Sequence, residues 1–317
     1  MMKKRNGIVV LGASFVDIKG YPIAQYIPGG RNAGRVVQVH GGVARNVVED
    51  IANVELEPTF VSLVDQTGTG ADVIEKLNHH RVNTEYMRRT EDGLGTWLAL
   101  FDNNGDVVGS ISKRPDLSEI GNILDEKGDE IFEGADSVIV EIDMDPAIMK
   151  KAFALAEKYS KTVYAVVSNM SIAMERRDLL KKTGCIVCNE QEAGILFSED
   201  YEEMDPEQLQ EVLRRRIEQA QIPMMIVTLG ERGAVYAQLG GECGMCPAQK
   251  TEVIDTTGAG DAFFAGVAIG LTYGKDLKDS CAIGTRLAAS VIATKESVCP
   301  RFLPDEFDLH IPGRGQG

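Results

Sequence analysis

Short apolar runs separated by amphipathic helical patterns constrain this chain more than any other feature. The runs GIVVLGAS, TFVSLV, DSVIVEI, KTVYAVV, GCIVCN, PMMIVTLG and GAVYAQL are continuously apolar, as strands buried on both faces are. Between them, PEQLQEVLRRRIEQA puts Leu209, Val212, Leu213 and Ile217 on one helical face, with Asp205 as N-cap and Pro206 at the first helical position. TGADVIEKLNHH and DPAIMKKAFALAEKY follow strands in the same way. The order predicts an α/β fold with a mostly parallel central sheet and helices on both faces. The 317 residues, 44% of them hydrophobic, suit one large domain over 1–317. Two segments break the rhythm: about 18–42 is Gly-rich and extended, and about 95–113 reads as a hairpin around Asn104-Gly105. Both are expected to form one small β-sheet lid, and 312–317 a disordered tail.

The net charge of −15 argues against a nucleic-acid or anionic-membrane partner, since both are held by positive surface. A run of about 18 apolar residues is absent from the sequence, so no membrane span is expected. The basic start before GIVVLGASF reads as the approach to a first strand rather than a signal peptide, because its apolar part is short and broken; a cytoplasmic location is expected. Of six cysteines, four form two CxxC pairs, a spacing that can hold zinc. In CIVCNE, read as a strand, residues three apart point to opposite faces. Only CGMC reads as a turn that would let two sulfurs converge. The expectation is reduced, mostly buried thiols and no zinc.

The chemistry concentrates in DTTGAGDAFFAG, residues 255–266. A strand ends, Gly258-Ala259-Gly260 strips side chains from the approach, and an apolar helix begins near Asp261. Free amides and the positive dipole end make an anion site. A carboxylate beside an anion site repels, unless the ligand brings a proton for it to remove; helix N-terminus plus base suggests acyl or phosphoryl transfer to a hydroxyl. The bland alternative is an aspartate capping its helix. GxxxxGK[ST] is absent, and the glycine pattern lies too late in the chain, with Phe263 at its third position, for a nicotinamide-binding reading.

DTTGAGDAFFAGVA resembles the C-terminal signature of the PfkB, or ribokinase-like, family of carbohydrate kinases. GGVARN (41–46) resembles its N-terminal signature, CNEQEA its NxxE motif and TLGERG its TxGxxG motif, all in family order. The resemblance implies a ribokinase-like three-layer α/β/α fold and an ATP-dependent kinase. Asp261 would be the general base, and the Gly258, Ala259 and Gly260 amides the anion hole. Asn189 and Glu192 would help place Mg²⁺ and its waters; Thr228, Gly230 and Gly233 would belong to the ATP site. Asp255 and the Thr257 carbonyl would hold a monovalent cation, K⁺, with further ligands in 293–300.

For the acceptor substrate, Asp17 at the end of the first strand suits two sugar hydroxyls, with Gly41, Gly42 and Asn46 at a loop-to-helix entry beside it. Glu141 and Asp143 follow, and the sequence leaves open which faces inward. Trp97 in the hairpin could stack on a base or sugar, with hairpin or dimer packing as the favoured reading. Arg45 could reach a base carbonyl or face solvent. GASFVDIKGY, GGVARN and the hairpin look most like the pseudouridine-kinase branch, which implies transfer to a primary hydroxyl giving a 5′-phosphate. A kinase of free ribose or fructose, a catalytically silent sugar-binding regulator and a nicotinamide-dependent dehydrogenase are the alternatives. Exposed strand edges on the lid imply a homodimer through it.

Overall fold

The apolar runs become strands because each can bury both faces. A computed structural model describes residues 5–312. Its strands are β1 (Gly7–Leu11), β2 (Phe15–Pro22), β3 (Gly34–Gly41), β4 (Thr59–Val61), β5 (Leu63–Val64), β6 (Arg88–Arg89), β7 (Gly95–Phe101), β8 (Val107–Lys113), β9 (Ala135–Glu141), β10 (Val163–Val166), β11 (Ile186–Asn189), β12 (Met224–Thr228), β13 (Ala234–Gln238) and β14 (Cys243–Cys246). The helices are α1 (Val43–Asn53), α2 (Gly68–His79), α3 (Ser118–Glu133), α4 (Pro146–Lys158), α5 (Met170–Met174), α6 (Arg177–Leu180), α7 (Glu190–Phe197), α8 (Pro206–Ala220), α9 (Ala259–Thr272) and α10 (Leu277–Ile292).

The main sheet runs β14-β13-β12-β11-β10-β9-β1-β4. Pairings from β4 to β12 are parallel, and β13 and β14 are antiparallel. Alternate residues of β1 serve opposite layers. Ile8 and Val10 pack with α1, α9 and α10, and Val9 and Leu11 with α3, α4 and α8. This is a three-layer α/β/α sandwich. Asp205 caps α8 through the Glu207 and Gln208 amides, with Pro206 at its start.

Sequence and structure differ in four places. The strand expected to lead into Asp255 is absent, and residues 247–258 are a loop running from β14 to α9. TFVSLV divides at Ser62, because Leu63 and Val64 leave the main sheet to pair with Arg88 and Arg89. CGMC is no turn: it is edge strand β14, with Cys246 in one core layer and Cys243 against the other, so its sulfurs diverge. Cys185 and Cys188 likewise serve opposite layers. The second sheet, β3-β2-β7-β8, draws in residues from Phe15 onward, ahead of the expected start near 18, so Asp17 lies within β2 rather than at the end of the first strand, which stops at Leu11. Of the expected tail, 312–317, residues 313–317 lie outside the described residues. Among the described residues no helix is long and apolar enough to cross a membrane.

Helices α9 and α10 approach backbone to backbone, because a Cβ added at Gly266 would lie 2.6 Å from the Gly284 Cα. Gly266→Ala is therefore expected to force the pair apart and lower unfolding free energy by roughly 1–3 kcal/mol, the usual cost of overpacking. Urea denaturation checks this; an unchanged midpoint would contradict the packing.

Candidate active site

Helix α9 is apolar around its whole circumference, with residues 262–270 buried, so it fits only at the centre of its layer. Its N-terminus is the end that reaches open space. Gly258 caps it with φ 84°, and a Cβ there would sit 2.0 Å from the Ser297 carbonyl oxygen. Glycine is required on both counts. The amide of Ala259 donates to the Thr256 carbonyl at 3.2 Å, so of the expected anion-hole amides this one is turned into the loop. The Gly260 and Asp261 amides lie in the first turn and have no intrahelical acceptor.

A cavity opens on each side of this helix end. The first, about 550 Å³, is lined by Asn189, Thr228, Gly230, Gly233, Ala259 and Gly260, with Phe263, Ala288, Ala289 and Ile292 as an apolar wall. Gly230 and Gly233 both have positive φ, and a Cβ at Gly233 would meet the Cys246 carbonyl oxygen at 2.2 Å. Thr228 Oγ1 donates to the Cys188 carbonyl at 3.4 Å. Glu192 does not line this cavity. It forms a capping box, its carboxylate accepting the Asn189 amide at 2.9 Å while Asn189 Oδ1 accepts the Glu192 amide at 2.8 Å. Asp255 Oδ1 accepts the Thr257 amide at 2.9 Å, and neither residue lines the two cavities.

The second cavity, about 720 Å³, is lined by Asp17, Gly42, Asn46, Trp97, Glu141, Asp143 and Asp261, among others. The second sheet supplies one wall: Asp17 pairs with Trp97 and Trp97 with Ser112, so the three share the inward face. Trp97 is thus a cavity residue rather than outward packing. Gly41 stands behind Asp17, where a Cβ would lie 2.7 Å from both carboxylate oxygens. Gly42, φ 98°, begins α1. Glu141 and Asp143 both face inward. Glu141 accepts the Ala13 amide at 2.8 Å, and the Ser168 hydroxyl lies 3.3 Å from it and against Asp143. Desolvation pushes Glu141 up to about 7 and also raises Asp17.

Asp261 is the junction. Its carboxylate accepts Asn46 Nδ2 at 2.7 Å. Burial pushes its pKa up to about 6, against the pull of the Asn46 bond and the Arg45 charge. Arg45 neither faces solvent nor lines the cavity; it is 1% exposed and bonded to Glu49 and Asn46. Arg114 is a cavity residue that sequence reasoning missed. It follows the hairpin directly, and its guanidinium lies 3.8 Å from Asp143. Only tertiary folding brings the two together.

Two cavities divided by one helix end suit transfer of a group between two ligands, and free amides at that end select an anionic group. With the Asp261 carboxylate at the junction, the arrangement fits a phosphotransferase with an alcohol group as acceptor, and the comparisons with known proteins agree. The chain belongs to the pfkB family of carbohydrate kinases, which it matches over residues 5–301. It is 32% identical over 294 residues to a guanosine-inosine kinase of Exiguobacterium acetylicum, covering 92% of this chain and 96% of that one. It is 25% identical to a pseudouridine kinase of Escherichia coli, covering 84% of each. The Arabidopsis thaliana ribokinase solved with ribose and ATP shares the fold, with TM-score 0.80 at 20% identity over 94% of this chain and 96% of that one.

Proposed function

We propose that this chain is a nucleoside kinase that moves the γ-phosphoryl of ATP onto the 5′-hydroxyl of a ribonucleoside. The observation that carries the reading is Asp261, a desolvated carboxylate at the helix end where the two cavities meet. ATP would lie in the first cavity, its adenine against Phe263 and Ile292 and its γ-phosphate toward the Gly260 and Asp261 amides. The nucleoside would fill the second, with Asp17 and the Gly42 region on the ribose. Asp261 takes the hydroxyl proton as the oxygen attacks phosphorus and ADP leaves. Positioning and preorganised amides supply the rest. Mg²⁺ would offset phosphate charge, with Glu192 reaching it through water because one of its oxygens is held by the Asn189 amide. A monovalent cation beside Asp255 and the Thr257 carbonyl belongs to the same reading. An intact carboxylate with its amides favours catalysis over a silent regulator.

For the base, we favour a 6-oxopurine, guanosine or inosine, over the pseudouridine expected from sequence. The higher identity to a guanosine-inosine kinase over nearly both full lengths supports this, and a 720 Å³ cavity lies within the range for drug-sized ligands. Pseudouridine is the second reading, because its ring carries the same adjacent C=O and N–H. Arg114 can donate to the carbonyl and Asp143 can accept from the N–H.

Asp261→Asn should lower turnover by at least about 10²-fold with ATP binding retained. The wild-type kcat/KM should rise with pH through about 6, since only the ionised carboxylate takes a proton; near-normal turnover of a folded Asp261→Asn variant would remove it from this role. In a panel of guanosine, inosine, pseudouridine, adenosine and ribose with ATP and Mg²⁺, guanosine or inosine should exceed ribose in kcat/KM by at least about 10²-fold, because unpaired polar groups penalise ligands lacking the base. Ribose leading the panel would make this a sugar kinase. For assembly, the outward face of the second sheet carries Val36, Leu98, Leu100 and Ile111, exposed by 73, 38, 44 and 68%, on adjoining rows. Pairing with a second copy would cover it. Light scattering should give a dimer that Leu98→Glu with Ile111→Glu converts to monomer; a wild-type monomer at all concentrations would contradict it.

A further inference from the structure

Arg45 stands in the first turn of α1 facing the interior, where an apolar residue would pack at far lower cost. A buried guanidinium is expensive unless paired, and each of the three nitrogens of this one has a partner. Its Nε donates to the Gly41 carbonyl at 3.3 Å and its Nη2 to the His40 carbonyl at 2.8 Å. Nη1 meets Glu49, and Nη2 also meets Asn46 Oδ1 and, at 3.3 Å, Ser297 Oγ. One side chain therefore ties together the β3–α1 turn, α1 itself and the segment that packs against Gly258.

We propose that Arg45 is a positioning residue for phosphoryl transfer: through Asn46 it fixes the orientation of the Asp261 carboxylate, and it supplies the positive charge opposite that carboxylate. This rests on Asp261 being the base. Asn46 has one acceptor end and one donor end. Arg45 has only donors, so it takes Oδ1, and Nδ2 is left pointing at Asp261 Oδ2, 2.7 Å away. Reversing the amide would set two donors together and oxygen against carboxylate. The Asn46 bond holds one Asp261 oxygen and leaves the other toward the acceptor cavity.

The surrounding charges make the effect readable. Asp261 is faced from α1 by Asn46, Arg45 and Asp50, whose burial raises its own pKa. Asp17, Glu141 and Asp143 share its cavity, and Ser297 approaches Asn46 from the following segment. Arg45 is faced by Glu49, by His40, whose pKa desolvation lowers, and by Asp17. Glu49 is fully buried; its Oε1 lies 3.4 Å from Lys76 and 3.5 Å from His80. Glu49 thus offsets part of the Arg45 charge. Removing Arg45 takes away a pull that favours the ionised base, whereas neutralising Glu49 strengthens that pull.

The test is the acid limb of kcat/KM against pH, measured with the best nucleoside of the panel. In Arg45→Met the limb should move up by about one pH unit, within the range for losing a nearby opposite charge. In Glu49→Gln it should move down, and in Arg45→Lys, which keeps the charge, it should stay near wild type while kcat falls. Opposite shifts are a signature that general loosening of the fold does not produce. Limbs that coincide in Arg45→Met and Glu49→Gln, or move the same way, overturn the proposal. If Arg45→Met does not fold, the direction in Glu49→Gln decides. Asp261→Asn run alongside separates the two readings: if it is active the base assignment fails, and if it is inactive while the limbs stay fixed only the role of Arg45 fails.

Discussion

The contact between Asn46 and Asp261 joins the start of α1 to the start of α9, and the site is organised around that junction. Both helices lie in one layer and both begin at a glycine with positive φ, Gly42 and Gly258. A hydrogen bond of 2.7 Å between their first turns is possible only because α9 is driven to the middle of the layer by its apolar circumference. The Gly266–Gly284 approach lets α10 press behind it. Burial of a featureless helix thus fixes the position of its single carboxylate. The net free energy of one such bond is about 1 kcal/mol. The position is set by packing, and the bond selects the orientation.

On the proposed reading, the same burial tunes the base. A carboxylate in water would be fully ionised near pH 6 and weakly basic. Desolvation brings Asp261 to about 6, close to the range where a base is both available and effective. The second sheet supports this from the other side of the cavity, placing Trp97 and Asp17 over it while its outward face stays apolar and exposed.

The parts of this site legible in the sequence are those that backbone conformation dictates locally. Gly258-Ala259-Gly260 before an apolar run announces a tight turn into a buried helix whatever surrounds it. Gly42 does the same for α1. The parts not legible depend on partners distant in the chain. Arg45 at a helix start gives no sign of being buried until Glu49 and Ser297 are brought to it. Trp97 in a hairpin has two faces, and only the pairing with β2 says which one turns inward. CGMC reads as a turn by composition, yet β13 offers a free edge and makes it a strand. Glu192 shows how a motif leaves geometry undetermined: the acid that the motif supplies is bonded back to its own helix cap.

Charge bears on the proposed neutral acceptor. Six carboxyl side chains line the second cavity, from Asp17, Asp116, Glu141, Asp143, Asp145 and Asp261, against the single guanidinium of Arg114. A ribonucleoside brings hydroxyl and ring N–H donors for those acceptors and no charge of its own. Phosphorylation turns the same ligand into a dianion among carboxylates. Like charges a few ångströms apart in a partly desolvated space repel strongly, so the field that tolerates the substrate disfavours the product. In the proposed reaction, the helix end that would stabilise the phosphoryl group in transit lies between the cavities rather than inside the acceptor cavity. On that reading stabilisation would be strongest during transfer and weaker once the product has formed, the difference in binding that catalysis requires.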